Sequence, residues 1–303
     1  MSDKSWRHKW QKIEQRKWGE VRASWVGKVP HFSGIGSAPD PGLENLSTLL
    51  AVPLPSNNDR FPDVAGLRSN ALWEAVFLFH KCAHTHLAAQ RIGQSGMHSW
   101  SLFNAYHSAY LGARGIMTLL GAPTPFLGSG QLILDLFPEP SNKKKQQASR
   151  LFEEFVIIRL GQLTQRYLWQ AFQHVLRITD ATCWDVGLRD SLAAIDYEDF
   201  SRPRNKYLYR AAFWPPFADL MADCQLNDDD KLYGRALLVE DEGFLFRLCF
   251  SVYRLFEQLI VDLGSQSAVI KEQVDGSRVI TNAGLPVVEG YSNFVSQLAT
   301  IEA

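Results

Sequence analysis

The stretch Asn104-Ala105-Tyr106-His107-Ser108-Ala109-Tyr110-Leu111-Gly112-Ala113-Arg114-Gly115-Ile116-Met117 decides the fold class. Positions 106, 110, 113 and 117 recur at helical spacing and share one face, so Tyr106, Tyr110, Ala113 and Met117 can pack on a neighbour. The small residues between them allow close approach. Arg114 follows Tyr110 by four residues and stands beside that face, placed to reach a polar centre, pair with a carboxylate, or snorkel from a packed helix.

The same period extends in both directions. Helical blocks are expected at about 65–93, 98–121, 146–178, 182–196 and 243–264. Gly121 with Pro123 and Pro125 is a helix stop, because glycine accepts the left-handed turn and proline cannot extend a helix. The segment from Leu132 to Phe137 reads as a short strand or a buried turn. Residues 4 to about 25 read as a helix with a tryptophan stripe, Trp6, Trp10, Trp18 and Trp25, and a basic opposite face. A stripe this dense either docks on its own domain or holds the arm against phosphates. Glycine- and proline-rich loop chemistry follows as far as Pro62. Near the end, apolar and polar residues alternate on either side of Asp275-Gly276, which predicts a small β-hairpin.

The expected architecture is therefore mainly α: a helical bundle with a basic N-terminal helix and a small C-terminal β-hairpin. Residues 1–62 form the basic helix and linker, 63–214 the helical core, and 215–303 a C-terminal helix and hairpin extension.

Composition limits the function classes. With 303 residues, 46% of them hydrophobic, the chain buries a substantial core. The run from Gly243 to Gly264 is interrupted by Arg247, Arg254, Glu257 and Asp262, so it reads as a core helix and not as a membrane span. The first residues lack the apolar region of a secretory signal, and the expected location is the cytoplasm. Cys82, Cys183, Cys224 and Cys249 form no CxxC pair and are expected as reduced core thiols. The net charge of -1 excludes a generally basic nucleic-acid binder. Residues 1–28 nevertheless hold eight lysines and arginines against three acids, a net of +5.

Chemistry concentrates in a second segment, Ser201-Arg202-Pro203-Arg204-Asn205-Lys206-Tyr207-Leu208-Tyr209. Its serine and early proline suit a helix start. Arg204 and Asn205 lie about one turn before Tyr209, so a guanidinium, an amide and a phenol can converge at a helix N-terminus, a workable phosphate site with Arg202 and Lys206 beside it. Arginines capping Asp196, Glu198 and Asp199 would use the same residues structurally. His80-x3-His84-x-His86 has the spacing of helical metal sites, but Lys81 stands where a zinc-protease glutamate would, and no metal or other cofactor is expected. Walker loops, nucleophile elbows and EF-hand loops are missing from the sequence.

Tyr106 to Arg114, followed by Arg204-Asn205-x3-Tyr209, resembles the two signature helices of the HEPN family, named for higher eukaryotes and prokaryotes nucleotide-binding, over about residues 65–214. The resemblance implies a helical bundle, often a homodimer or one part of a multiprotein complex. Its site is a metal-independent endoribonuclease centre built from arginine, a polar neighbour and histidine, and members serve in toxin-antitoxin or phage-defence systems. Arg204 matches the arginine, Asn205 the polar residue and Tyr209 the histidine position. A phenol with an ordinary pKa of about 10 is a reluctant acid and a poor base, so His107 is the candidate replacement, with Arg114, Arg202 and Lys206 as RNA-binding cations. RNA is the implied partner, either cleaved or only bound. The competing expectation is a non-catalytic scaffold or oligomerisation subunit.

Overall fold

The computed structural model of the protein describes residues 16–28, 41–51, 60–94, 98–127, 130–138, 154–161, 164–196, 200 and 244–283. These are mainly helical, with eight helices and two small sheets among the described residues. The chain divides into two compact units: residues 1–77 with 114–184, and residues 78–113 with 185–303.

In the first unit, β1 (Arg16–Lys17) leads directly into α1 (Trp18–Lys28) and pairs in parallel with β6 (Thr179–Asp180). The described part of the tryptophan stripe is docked on its own domain: Trp18, Val21 and Trp25 are all buried, whereas Trp6 and Trp10 lie outside the described residues. Of the expected N-terminal helix, Arg16 and Lys17 are strand, and residues 1–15 lie outside the described residues. After α2 (Pro41–Ala51), an antiparallel sheet forms in the order β2 (Arg60–Pro62), β5 (Glu154–Gly161), β4 (Gly130–Asp135), β3 (Phe126–Leu127). Phe61 and Phe155 pair across β2 and β5 and stack at 5.4 Å. The segment at Leu132 is thus a strand. The expected helical block 146–178 is corrected: its described part is β5 followed by α5 (Gln165–Ile178). Val156-Ile157-Ile158 is a β-branched run that fits a central strand with partners on both sides, whereas Leu168, Trp169, Phe172, Val175 and Leu176 keep the helical period and are buried in α5.

α3 (Leu67–Gln94) and α4 (His98–Leu119) run through residues of both units. The stop expected after α4 is a Schellman turn. Gly121 has φ +86°, its N–H donates to Thr118 O at 3.0 Å, and the Ala122 N–H donates to Met117 O at 2.7 Å. Two further carbonyls at this helix end receive side chains: Trp25 Nε1 donates to Leu119 O at 2.7 Å and Arg16 Nη1 to Leu120 O at 2.9 Å. Arg16 also pairs with buried Asp135 at 2.5 Å, so one side chain joins β1, the end of α4 and β4.

The second unit contains α6 (Val186–Ala194), α7 (Phe244–Gly264) and α8 (Ala268–Ala283). Asp185 caps α6 by accepting from the Leu188 N–H at 3.0 Å, and its own N–H donates to Gln258 Oε1 on α7 at 2.9 Å. α7 is buried on nearly every side, as an all-round apolar helix must be. No helix among the described residues is long and apolar enough to cross a membrane.

The expected C-terminal β-hairpin is corrected: residues 268–283 are helical, and Asp275-Gly276 lies inside α8. The Ser267 hydroxyl stands 3.5 Å from the Ile270 N–H, and Lys271 N–H donates to Ser267 O at 2.9 Å, which starts the helix. Ile270 and Val274, four residues apart, are buried, while Val269 is exposed. That is the 3.6 period, and burial of one face outweighed the local turn preference.

Candidate nucleic-acid interface

Within the second unit, α3 and α4 lie antiparallel and close. Ser101 Oγ donates to Ala89 O at 2.5 Å and Ser108 Oγ to Cys82 O at 2.8 Å. Ser101, Ala105, Ser108 and Gly112, at spacings of four, three and four, are all buried and carry little side chain, which is what lets the backbones approach. Gly112 is the tightest point: a Cβ there would stand 2.7 Å from Val252 Cγ1 and 3.0 Å from Cys82 Sγ.

Small residues on this inner ridge place the large rings outside. Trp100 is 62% exposed, His107 is exposed, and Phe103 and Tyr110 are half-buried. Their spacing of three, four and three makes one stripe along α4. Trp100 meets Phe103 edge-on at 6.0 Å. Phe103 and His107 are 6.0 Å apart with planes 5° from parallel, and His107 and Tyr110 are 6.5 Å apart at 15°. On α3 a second stripe exposes Lys81, His84 and Arg91. Lys81 lies close enough to act on His107. Burial holds the His107 imidazole below its ordinary pKa, and the Lys81 charge lowers it further, so the ring is neutral at pH 7 and retains a site for a proton.

The sequence carries a signal for this face that local motif reading missed. Between Glu74 and Asp135 there is no aspartate or glutamate, in a chain with 32 acidic residues among 303. The two stripes are therefore basic and aromatic with no carboxylate of their own, which favours a polyanion.

The other expected site residues fall elsewhere. Arg114 is on α4, where Nη2 binds Glu74 at 2.7 Å and Nε donates to Thr124 Oγ1 at 3.1 Å. Its guanidinium is committed to an ion pair and a loop, the pairing role open to it from sequence. Arg202, Arg204, Asn205, Lys206 and Tyr209 lie outside the described residues.

Beneath the stripes is a buried polar cluster. His86 stacks on Tyr253 at 5.5 Å with planes 8° apart. Its Nδ1 is 3.1 Å from Cys249 Sγ and its Nε2 is 3.4 Å from Gln90 Nε2. An amide nitrogen only donates, so Nε2 of the imidazole accepts, and the ring proton sits on Nδ1 and points at the sulfur. Burial lowers the His86 pKa to about 4, raises the Cys82 thiol to about 12 and pushes Cys249 up as well. All three groups are therefore uncharged at pH 7. Among the described residues Cys82, Cys183 and Cys249 form no disulfide, and Cys224 lies outside the described residues. Among the described residues no group of three histidine, cysteine or acidic side chains is placed to hold a metal ion.

Comparison of the chain with protein-family models, with curated proteins and with solved structures found no match.

Proposed function

We propose that this chain is an RNA-associated protein of HEPN-like type, a helical bundle that binds RNA on the paired stripes of α3 and α4. The observation that carries the reading is the ring ladder from Trp100 to Tyr110, exposed at Trp100 and His107 and half-buried at Phe103 and Tyr110, beside Lys81 and Arg91 on a stretch of chain without a carboxylate. Rings supply stacking surface and cations supply phosphate contacts, the two contributions from which RNA-binding surfaces are made. The sequence adds Arg202, Arg204, Asn205 and Lys206, a cationic segment suited to a phosphate.

Binding, and not turnover, is the function this arrangement supports best. Tyr209 replaces the histidine that HEPN-like cleavage uses, and Arg114 is engaged by Glu74. His107 is a neutral imidazole that can accept the proton of a ribose 2′-hydroxyl as that oxygen bonds to the adjacent phosphorus; the P–O5′ bond breaks, leaving a 2′,3′-cyclic phosphate, the 5′-oxygen takes a proton from water, and a guanidinium such as Arg204 stabilises the developing charge. Strand scission by this route needs no metal.

The test is anisotropy of a labelled RNA with the full chain in chelator, read alongside the integrity of the RNA on a gel. Retention of intact RNA that weakens steeply with salt supports the binding module, and the Lys81→Ala/Arg91→Ala variant should flatten the salt slope by about 1.4. Cleavage abolished by Arg204→Ala supports an endoribonuclease. Absence of binding at low salt overturns the RNA reading and leaves a scaffold subunit.

A further inference from the structure

We infer that the nucleic acid taken at this face is single-stranded RNA, with unpaired bases laid on the ring ladder and Trp100 as the principal stacking platform. This rests on the RNA reading above and names its substrate class.

The argument begins with the cost of leaving Trp100 in water. An indole 62% exposed on a helix that buries Leu102, Tyr106, Ile116 and Met117 forgoes most of its transfer free energy. Three further rings continue the same stripe, and three of the four stand within 15° of parallel in succession. The exposed indole of Trp100, at the end of this stack, is a π surface complementary to the flat face of another ring. Bases offer such faces only when unpaired and unstacked. A duplex buries them in its own stack and presents sugars, phosphates and groove edges, for which Phe103 and Trp100 have no donor of use beyond the indole N–H.

Charge selects a polyanionic strand over an apolar protein segment. The α4 stripe is flanked by Lys81, His84 and Arg91 on α3, and residues 78–113 carry no acid to repel a phosphate. At 1.5 Å of rise per residue, the ladder from Trp100 to Tyr110 runs about 15 Å, room for a short run of bases with their phosphates turned toward α3. Sequence preference should be slight, because every base has a face to stack and none of these rings reads a base edge.

The experiment compares an unstructured oligoadenylate with a duplex of the same length, each labelled and titrated with the full chain at fixed low salt. Wild-type protein should hold the single strand more tightly. Trp100→Ala should weaken single-strand binding about 5- to 150-fold, the range found for loss of one base-stacking ring, with Trp100→Phe recovering most of it. Lys81→Ala should weaken both RNAs. Trp100 is exposed enough that an unchanged melting temperature will show the fold is kept. Equal binding of duplex and single strand with no effect of Trp100→Ala overturns this inference and leaves the RNA reading standing. Binding of neither RNA removes the RNA reading itself. If Trp100→Ala converts a self-associated protein to monomer without changing RNA affinity, the ladder is a contact between two copies and the inference is again overturned.

Discussion

Substituting Gly112 by alanine sets two known effects against each other, and the structure decides which wins. Glycine inside a helix costs about 0.5–1 kcal/mol relative to alanine, so on propensity alone Gly112→Ala stabilises α4 by that amount. The new methyl, however, would lie 2.7 Å from Val252 Cγ1 and 3.0 Å from Cys82 Sγ. Neither neighbour can yield cheaply. Val252 is fully buried on α7 and β-branched, which fixes its χ1 in a helix, and Cys82 is fully buried on α3 beside the Ser108 hydroxyl at 3.4 Å. Overpacking of this kind costs about 1–3 kcal/mol, so the net effect should be a loss of about 1–2 kcal/mol. The assay is urea unfolding, read as a lower midpoint at unchanged slope. Val252→Ala alone should destabilise by leaving a cavity, but the double variant should cost at least about 1 kcal/mol less than the two singles together, since the methyl at 112 enters the space vacated at 252. A Gly112→Ala protein as stable as wild type, or strict additivity in the double variant, would refute the close packing of α3, α4 and α7.

Two further outcomes follow from the buried charges and imidazole. His86 binds its proton with a pKa near about 6.5 when unfolded and about 4 when folded, so the unfolded state takes up more protons in acid. Stability should be full above pH 6.5 and decline by up to about 3 kcal/mol as the pH falls toward 4, with His80 and His107 acting in the same direction. His86→Gln should flatten that profile in urea titrations at pH 7.5 and 5, and an unaltered slope would sink the assignment. Asp135→Asn leaves Arg16 buried without its counter-charge and should cost about 3 kcal/mol or more, read as a lower melting temperature. Full recovery of stability in Asp135→Asn on raising salt would contradict a buried pair, because only exposed pairs are screened.

What could be read in the sequence was local. The stop at Gly121 depends on one residue that accepts φ +86° and two prolines that follow, and α7 was recognisable because four charged residues interrupt an apolar run of buried-helix length. The tryptophan stripe fixed the docking of α1 for the same reason, since Trp18, Val21 and Trp25 already share a face. What failed was decided at a distance. β5 reads as apolar helix until β2 and β4 occupy its two edges, and the register that pairs Arg60 with Val156 joins residues far apart in the chain. Asp275-Gly276 has hairpin chemistry, yet Ile270 and Val274 find more burial as a helix face. Arg114 illustrates the limit for the site: a guanidinium on a helix suits phosphate or carboxylate equally, and only the position of Glu74 and Thr124 separates them.

The ladder was missed for a related reason, and the reason bears on what it does. In an ordinary amphipathic helix the large apolar side chains face inward and the small or polar ones outward. α4 inverts part of that order, with Ser101, Ala105, Ser108 and Gly112 on the ridge that holds α3 and α7 close, and Trp100, Phe103, His107 and Tyr110 outside. Close approach of the helices explains the small inner residues. It does not explain Trp100, where a polar side chain would serve the packing equally well and would be better solvated. An indole kept in water, three near-parallel rings in line with it and the lack of any carboxylate in residues 75–134 make a surface whose composition packing leaves unaccounted for. The proposed binding of a stacking, anionic ligand would account for all three properties together, and removal of the single ring at position 100 separates that account from the rest.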